Sequence, residues 1–463
     1  MPAFDTVLRV LSLQDYNTRL VVLAAAVLGL AAGVIGTFML LRKRALLGDA
    51  LSHATLPGVG LAFVLANLAG VAGKSLPILL TGAAVTGVLG AGSILLIRRY
   101  TRLKEDAALG VTLSVFFGAG VALLGVIQQM GASSAAGLQS YIYGSTASMI
   151  AIDAWFIAGA AGLVVIACAM LYKEFRLLCF DAGFAQGQGW PVGVLDAVLA
   201  GLVVTIVVVG LQAVGVILII AMLIVPAASA RFWSDRLAPM TCIAALIGAC
   251  SAALGAMVSA LFPRLPSGAM IVLAALVMFA VSMLCGSARG VAPHWLRHRR
   301  LNRRMDTQHL LRAMYEAQEL YATRGGFGET AQARNIEFDD LLRRRSWAPA
   351  SLRHILRRAE RSGLVRPAER GCFILTALGR IHAVRVVRNY RLWEVYLITY
   401  ADIAPSHVDR DADRIEHVLS PEMIAELESL LERDDRHLAV PASPHEIPAP
   451  STDTVAPMSR SRA

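Results

Sequence analysis

The sequence has few charged side chains for its length, and they are unevenly placed. Of its 463 residues only 16% are Asp, Glu, Lys or Arg, whereas 56% are hydrophobic. From Thr18 to Gly286 the chain is a succession of apolar runs, and from Arg289 onward it is polar and rich in arginine. This contrast excludes a single soluble domain and favours a membrane domain followed by a soluble one. Because apolar runs of 18 or more residues recur many times, a signal peptide ahead of a secreted domain is excluded as well.

Cysteine is scarce and scattered. None of the six cysteines lies in a Cys-x-x-Cys or Cys/His spacing that would build a zinc site, and we interpret them as small apolar side chains: Cys168, Cys179, Cys242, Cys250, Cys285 and Cys372. The lone Cys372 in the polar part fits a reducing cytoplasm.

A nucleotide-binding loop is also missing. Gly73, Lys74 and Ser75 resemble the end of such a loop, but its first glycine would fall at Leu68, and no strand precedes it. We therefore expect no ATPase activity and no enzyme in this chain.

The apolar runs predict an all-α polytopic membrane bundle of about nine spans. They lie near Arg19–Leu41, Leu51–Val71, Leu76–Ile97, Leu109–Ile127, Ile150–Tyr172, Val192–Gly210, Ala213–Ala230, Ala238–Phe262 and Ala269–Cys285. Small residues crowd several of them, for example residues 29–36 and 82–92, and such faces let helices approach closely.

Positive charge follows every second span, which orients the bundle. The basic residues after the first, third, fifth and seventh spans are Arg42, Lys43, Arg44, Arg98, Arg99, Arg102, Lys104, Lys173, Arg176, Arg231 and Arg236. Because Lys and Arg in short loops stay in the cytoplasm, we predict a multi-pass protein of the bacterial inner membrane with its N-terminus outside and its tail in the cytoplasm.

Histidine is nearly absent from the membrane part. Only His53 of the ten histidines precedes the basic segment, and it follows Asp49 by four residues, so that the two share a helix face with Ser52 nearby. Pro57 and Gly58 follow and predict a kink that frees a backbone carbonyl. A carboxylate with an imidazole suits Mn²⁺, Fe²⁺ or Zn²⁺. The alternative is that Asp49 caps the helix and His53 is an ordinary polar group inside the bundle.

At these residues the sequence resembles a known family. RALLGDALSHATLPGVGLAF at 44–63 is similar to the signature of the metal-transporting ABC permeases of zinc, manganese and iron uptake, and further matching pieces lie at 105–124, 138–145, 213–230 and 266–273. The resemblance implies that Asp49 and His53 belong to the translocation path and carry the metal, with no permanently bound cofactor. It also implies three partners: a separate cytoplasmic ATPase, an extracytoplasmic metal-binding protein and a second permease chain in a homodimer or heterodimer.

The segment from Lys173 to Val192 is the candidate contact with that ATPase. Its Asp181, Ala185 and Gly189 resemble the coupling loop of these permeases. The alternative is an ordinary connector, and Glu105 to Gly110 is the other candidate contact.

The tail has the pattern of a winged-helix α+β domain. Helices are predicted at Thr307–Tyr321, Phe338–Arg345 and Ser351–Val365, and the last has apolar positions at helical spacing and arginines elsewhere, followed by a strand pair that turns near Gly371. Such an arrangement is common in DNA-binding proteins.

From about Thr307 to Leu431 the tail resembles the iron- and manganese-dependent repressors, through ILTALGR at 374–380, RNYRLWEVYL at 388–397 and DRIEHVLSPEM at 413–423. The resemblance implies that Asp413, Glu416 and His417 match part of a metal-ligand set. Three positions depart from it: Tyr390 stands where a histidine is expected, and His309 and Arg312 replace two acidic ligands. A metal sensor, a DNA-binding module and a structural or docking unit therefore all stay open for the tail.

The predicted organisation has four parts: a permease domain at 1–288, a basic linker at 289–305 suited to the anionic lipid of the bilayer, the winged-helix domain at 306–435, and a disordered tail at 436–463 rich in Pro, Ser and Ala. The predicted function is the permease subunit of an ABC importer for a divalent transition metal. The alternative is a membrane-tethered, metal-responsive transcriptional regulator.

Overall fold

Long apolar helices fill the first part of the chain. The computed structural model describes residues 9–10, 12–69, 76–129, 149–262, 265–324, 335–345 and 347–400. Within these residues eight helices have the length and hydropathy of a membrane span. They are α1 (Tyr16–Leu41), α2 (Leu47–Leu68), α3 (Leu76–Tyr100), α4 (Glu105–Gln129), α5 (Ala151–Met170), α8 (Val192–Val214), α10 (Leu237–Leu261) and α11 (Ser267–Cys285), and two short helices, α6 (Tyr172–Phe180) and α7 (Ala182–Gly187), join α5 to α8.

The seventh predicted span is a shorter helix. α9 (Val216–Ala230) has 15 residues, fewer than the roughly 20 that cross a bilayer core. Gly210 on α8 lies against the side chain of Ile219 on α9, which a continuous helix would separate by more than two turns. The chain therefore reverses between them at Gly215, whose φ of 84° favours glycine. About nine predicted spans thus correspond to eight long helices and one short one among the described residues.

Glycines lie where helices of the bundle cross. The α carbon of Gly29 on α1 faces the backbone of Gly248 on α10, and Gly58 on α2 faces Gly82 on α3 in the same way. A Cβ atom at any of these four positions would overlap the opposite backbone. The small-residue faces predicted from the sequence are therefore contact faces, as expected where close van der Waals packing holds helices together in lipid.

Helix α1 is the most enclosed helix of the bundle, and α4 is one of the most exposed. Leu28, Ile35 and Phe38 on α1 are fully buried, and this helix packs against α5, α9 and α10. Helix α2 packs against α3 and α4, whereas the apolar side chains Val111, Val115 and others on α4 point outward. Helix α4, which carries part of the candidate site, therefore lies at an open side of the single chain, whereas α2 is largely buried.

The chain divides into two compact units, 1–295 and 296–463. The described part of the second unit comprises α12 (Val291–Arg324, which begins in the first unit), β1 (Ile336–Glu337), α13 (Phe338–Arg344), α14 (Pro349–Arg361), β2 (Val365–Pro367), β3 (Cys372–Leu375) and α15 (Ala377–Tyr400). The strands form an antiparallel sheet in the order β1-β3-β2. This confirms the winged-helix prediction, with the turn between β2 and β3 at Gly371, where φ is 76°.

Two details differ from the predicted tail. Helix α12 begins at Val291 rather than Thr307, so the basic segment predicted as a linker is helical and continuous with the first helix of the winged-helix domain. Helix α15 is a long helix that the sequence interpretation did not delimit. The apolar face predicted for α14 is buried at Leu352, Ile355, Leu356 and Ala359. The other proposed boundaries, at 288 and 435, stay predictions.

Candidate functional site

Asp49 and His53 lie together at the start of α2. Asp49 is the acidic residue of the first helical turn, where the positive end of the helix dipole favours a carboxylate. The Nε2 atom of His53 is 3.4 Å from Oδ1 of Asp49, and the two side chains are 24% and 32% exposed. The predicted one-turn spacing therefore brings a carboxylate and an imidazole into contact on one accessible helix face.

The His53 ring is held from a second helix. Its plane meets the ring of Phe117 on α4 nearly edge-on, with the ring centroids 4.9 Å apart. The other ring nitrogen, Nδ1, is buried and has no hydrogen-bond partner among the described residues. Nε2 of His53 thus faces the carboxylate of Asp49, and the Phe117 ring fixes the orientation of the imidazole. When an imidazole is neutral, one of its two nitrogens has a lone pair that can bind a cation.

The neighbouring predicted features have distinct roles. Ser52 Oγ donates to the carbonyl of Gly48 at 2.6 Å, so its hydroxyl is used inside the helix. Pro57 lies within α2, and because it has no N–H, the carbonyl of His53 lacks its usual helical donor. The residue that carries the imidazole therefore also has a carbonyl without the backbone donor of a regular α-helix.

The pair alone is an incomplete coordination shell. Among the described residues no group of three or more His, Cys, Asp or Glu side chains is arranged to hold a metal ion. Since Mn²⁺, Fe²⁺ and Zn²⁺ take four to six ligands in proteins, Asp49 and His53 supply only part of a set.

Close to this pair is a buried cluster of charges that the sequence interpretation did not single out. We define the charge cluster as Arg42, Arg44, Arg98, Glu105 and Asp196. Asp196, the fifth residue of α8, is 5% exposed and Arg44 is 3% exposed. The guanidinium of Arg44 lies 2.8 Å and 2.9 Å from the two carboxylate oxygens of Asp196, and that of Arg42 lies 3.3 Å and 3.2 Å from them.

The remaining two members extend the cluster to other helices. Glu105, the first residue of α4, pairs with Arg44 and with Arg98 from the end of α3. Arg98 is also 3.7 Å from Asp196. Three arginines and two carboxylates from four parts of the chain thus share one site.

The predicted coupling segment folds into α6 and α7. Asp181 caps α7, because its Oδ1 accepts a hydrogen bond from the backbone of Phe184 at 2.8 Å. Ala185 is fully buried. Gly189 has a φ of 83°, which suits glycine and lets the chain turn into α8. All three predicted residues therefore shape this turn, and Asp181 and Gly189 are exposed on it.

One face of α6 is anchored and the other is open. Phe175 and Leu178 are fully buried, and the Phe175 ring packs 5.3 Å from the ring of Phe38 at the end of α1. The opposite side forms a groove of about 760 Å³ that is lined by Lys173, Glu174, Arg176, Leu177, Phe180, Asp181 and Trp190. The segment thus has one buried face and one accessible groove, and its role as the coupling segment stays a prediction.

In the second unit, the described part of the predicted metal site does not fit a metal. Arg312 lies with its guanidinium carbon 3.2 Å from the centroid of the Tyr390 ring, and its Nε donates to Glu316 at 2.6 Å. His309 Nδ1 lies 2.7 Å from the guanidinium of Arg345. A divalent cation about 4 Å from such a guanidinium would be repelled by about 8 kcal/mol at an effective dielectric constant of about 20. The other predicted ligands, Asp413, Glu416 and His417, lie outside the described residues.

The comparison with protein families decides the class of the membrane part. Residues 14–286 match the model of the ABC 3 transport family. The chain belongs to this family. It is 39% identical to the manganese transport system membrane protein MntC of Bacillus subtilis over 87% of this chain and 88% of that one. It is 40% identical to the zinc transport system membrane protein TroC of Treponema pallidum over 62% of this chain and 95% of that one.

A solved structure agrees with the fold, and a second family model matches the tail. This chain is similar to the structure of PsaBC from Streptococcus pneumoniae in complex with Fab, with a TM-score of 0.52 and 30% identity. The match covers 62% of this chain and 96% of that one. Residues 376–450 match the iron dependent repressor, metal binding and dimerisation domain. Both resemblances inferred from the sequence are confirmed.

Proposed function

We propose that this chain is the membrane permease subunit of an ABC importer that carries a divalent transition metal past Asp49 and His53. The observation that carries the proposal is the contact of these two side chains on an accessible face of α2. Ionisable side chains are costly at membrane depth and are typical of ion pathways. Oxygen and nitrogen ligands without a thiolate suit Mn²⁺, Fe²⁺ and Zn²⁺, and the relatives carry names of manganese and zinc transport systems.

A second permease chain completes the proposed site. The pair supplies two ligands, and His53 packs against Phe117 of α4, the helix whose apolar side chains point outward from the single chain. A second copy that presents the same face would add a second Asp49 and His53 and bring the number of ligands to four. A related permease chain in a heterodimer would do so if it carries the same residues.

ATP hydrolysis is supplied by a separate subunit in this proposal. The groove on α6 and α7 presents Phe180 and Trp190, which are 64% and 41% exposed, beside charged side chains, and Phe184 on α7 is 54% exposed. Exposed aromatic groups with a charged rim are typical of protein interfaces. Because Lys and Arg in short loops stay in the cytoplasm, the groove faces the cytoplasm in this proposal, and the ATPase binds there. An extracytoplasmic protein delivers the metal from the other side, where the N-terminus lies.

For the tail we propose a structural or docking role in the cytoplasm. The support is the ion pair of Arg312 with Glu316 at a position where the repressor resemblance implies a metal ligand. No finding favours the alternative of a membrane-tethered transcriptional regulator, since the relatives compared above carry transport names.

Metal uptake by whole cells tests the function. Cells that lack their own manganese and zinc importers receive this chain with its ATPase and its extracytoplasmic binding protein, and uptake of radiolabelled manganese is measured against competing zinc and ferrous iron at matched free concentrations. We expect uptake that depends on the chain and is inhibited by the preferred metal. Equal uptake with and without the chain for all three metals would refute the proposal.

A further inference from the structure

We propose that Asp196 is a positioning residue that transmits movement of the ATPase-docking helices α6 and α7 to α2 and α4. Helix α2 carries the metal pair, and α4 carries Phe117, which packs against His53. The inference rests on the proposed function. It assigns a role to the charge cluster, which has no part in metal coordination or in ATPase binding as described above.

The carboxylate of Asp196 is held on both oxygens. Arg42 and Arg44 each reach Oδ1 and Oδ2, at distances between 2.8 Å and 3.3 Å. Paired guanidinium–carboxylate bonds fix orientation as well as distance. Because Asp196 is almost fully buried, losing these partners would leave a desolvated charge, so the helix start that carries Asp196 and the turn that carries Arg42 and Arg44 move together.

One arm of the cluster reaches the docking helices. The NH1 atom of Arg42 donates to the carbonyl oxygen of Leu178 on α6 at 3.1 Å. Leu178 is fully buried, and its neighbour Cys179 lies 3.7 Å from the carbonyl of Phe38 at the end of α1. A displacement of α6 by a bound ATPase therefore pulls on Arg42 directly.

A second arm reaches the helix that carries the metal pair. Arg44 lies in the turn that begins α2, and its carbonyl accepts the backbone hydrogen bond of Leu47, the first residue of that helix, at 3.0 Å. Asp49 follows in the first turn. The arginine that grips Asp196 is thus attached to the end of α2 on which the metal ligands lie.

A third arm reaches the helix that orients the imidazole. Glu105 pairs with Arg44 and begins α4. Phe117 on the same helix packs against His53. Rotation or sliding of α4 at Glu105 therefore moves the ring that fixes His53, and the charge cluster is connected to both sides of the candidate metal site.

Charge balance selects the variant that tests this role. The cluster contains three arginines and two carboxylates, so Arg42→Gln leaves Arg44 and Arg98 to balance Asp196 and Glu105. Arg42 is also the more exposed of the two arginines that grip Asp196, with 17% of its side chain accessible against 3% for Arg44. This change removes the hydrogen bond from Arg42 to Leu178 on α6 and leaves two arginines paired with two carboxylates.

The test is metal uptake per ATP hydrolysed by the complete transporter in proteoliposomes. We expect Arg42→Gln to bind the ATPase subunit normally and to hydrolyse ATP, while uptake per ATP falls about tenfold, a loss within the usual range of coupling between sites. Asp196→Asn should lower the same ratio at least as far. Arg99→Ala, which removes an exposed arginine at the adjacent position of α3 from outside the cluster, should leave it unchanged.

An unchanged ratio for Arg42→Gln overturns the inference. So does a parallel fall of uptake, hydrolysis and ATPase binding, because the cluster would then only maintain the shape of α6. Absence of metal uptake by the unmodified transporter would instead contradict the proposed function, so the two failures are distinguished by the unmodified protein.

Discussion

The guanidinium carbon of Arg312 lies over the ring of Tyr390, 3.2 Å from its centroid, and both residues are buried, at 4% and 1% exposure. The contact combines a cation–π interaction with the hydrogen bond from Arg312 to Glu316. The two residues are also two of the three positions at which the tail departs from the metal-ligand set of the repressors it resembles. In the described part of the domain, the buried guanidinium of Arg312 therefore supplies the positive charge at these positions.

The first prediction is that the core of the tail is independent of metal. In the full-length protein, backbone hydrogen exchange in α12 and α15 should be the same with Mn²⁺, with Zn²⁺ and with a chelator. Arg312→Ala should speed exchange in both helices, because it removes the hydrogen bond to Glu316 at a cost of about 2 kcal/mol. Slower exchange on adding Mn²⁺ to the unmodified protein would contradict this prediction.

A second prediction concerns the groove on α6 and α7. Trp190→Ala and Phe180→Ala should each weaken binding of the ATPase subunit about tenfold or more, since aromatic side chains dominate the binding energy of protein interfaces. Affinity is measured by titrating detergent-solubilised permease with the purified ATPase. Phe156→Ala is the matched control, because this phenylalanine is 52% exposed on the membrane helix α5. Equal affinities for all three variants would exclude the groove as the docking surface.

A third prediction follows from the glycine crossing of α1 and α10. Gly248→Ala places a methyl group against the backbone of Gly29, and we expect a loss of about 1–3 kcal/mol in stability, as for other overpacked sites. Gly162→Ala on α5 is the control, because a Cβ atom there meets open space. Thermal unfolding of the two variants in the same detergent measures the difference, and equal midpoints would show that the helices do not cross as described.

A fourth prediction uses the thiol of Cys179 on the anchored face of α6. Burial raises the pKa of Cys179 to about 11, with nearby Arg42 and Arg44 opposing the shift and Asp196 adding to it. Because only the thiolate reacts, alkylation by iodoacetamide should be very slow at pH 7 and should accelerate as the pH rises toward that pKa. Mass spectrometry of the Cys179 peptide measures the rate. Fast labelling at pH 7 would mean that α6 is not seated on α1.

The sequence predicts the Asp49–His53 contact well because the information is local. A spacing of four residues on one helix brings the two side chains together independently of how the other helices pack. The same holds for Gly371, where a wing turn between two short strands is a local signal. In these places the prediction needed only helix or turn geometry.

The charge cluster depends on contacts between distant parts of the chain, and the sequence interpretation missed it. In the sequence, Arg42, Arg44 and Arg98 indicate only the orientation of the bundle, and Asp196 is a single carboxylate near the start of an apolar run. A signal was available, because Asp196 is the one acidic residue of the run at 192–214. Its partners, however, belong to other helices, and their meeting follows from how the bundle packs.

The short helix α9 shows a second limit. The run of apolar residues at 213–230 is as hydrophobic as a membrane span, and composition does not reveal that the chain reverses at Gly215. Likewise, the arginine-rich composition of the segment after Arg289 suggested a linker, whereas its residues also favour a helix and continue into α12.

Metal transport by purified protein tests the central claim most directly. The permease, its ATPase and its binding protein are reconstituted in proteoliposomes, and ATP-driven manganese uptake is measured for the unmodified chain and for Asp49→Asn, His53→Gln and the neighbouring Ser52→Ala. The account predicts that the first two variants lose at least about 90% of uptake, as expected for the loss of one ligand from a shared shell, while Ser52→Ala, whose hydroxyl bonds only within its helix, keeps most of it. Uptake by Asp49→Asn and His53→Gln at the unmodified rate would contradict the account.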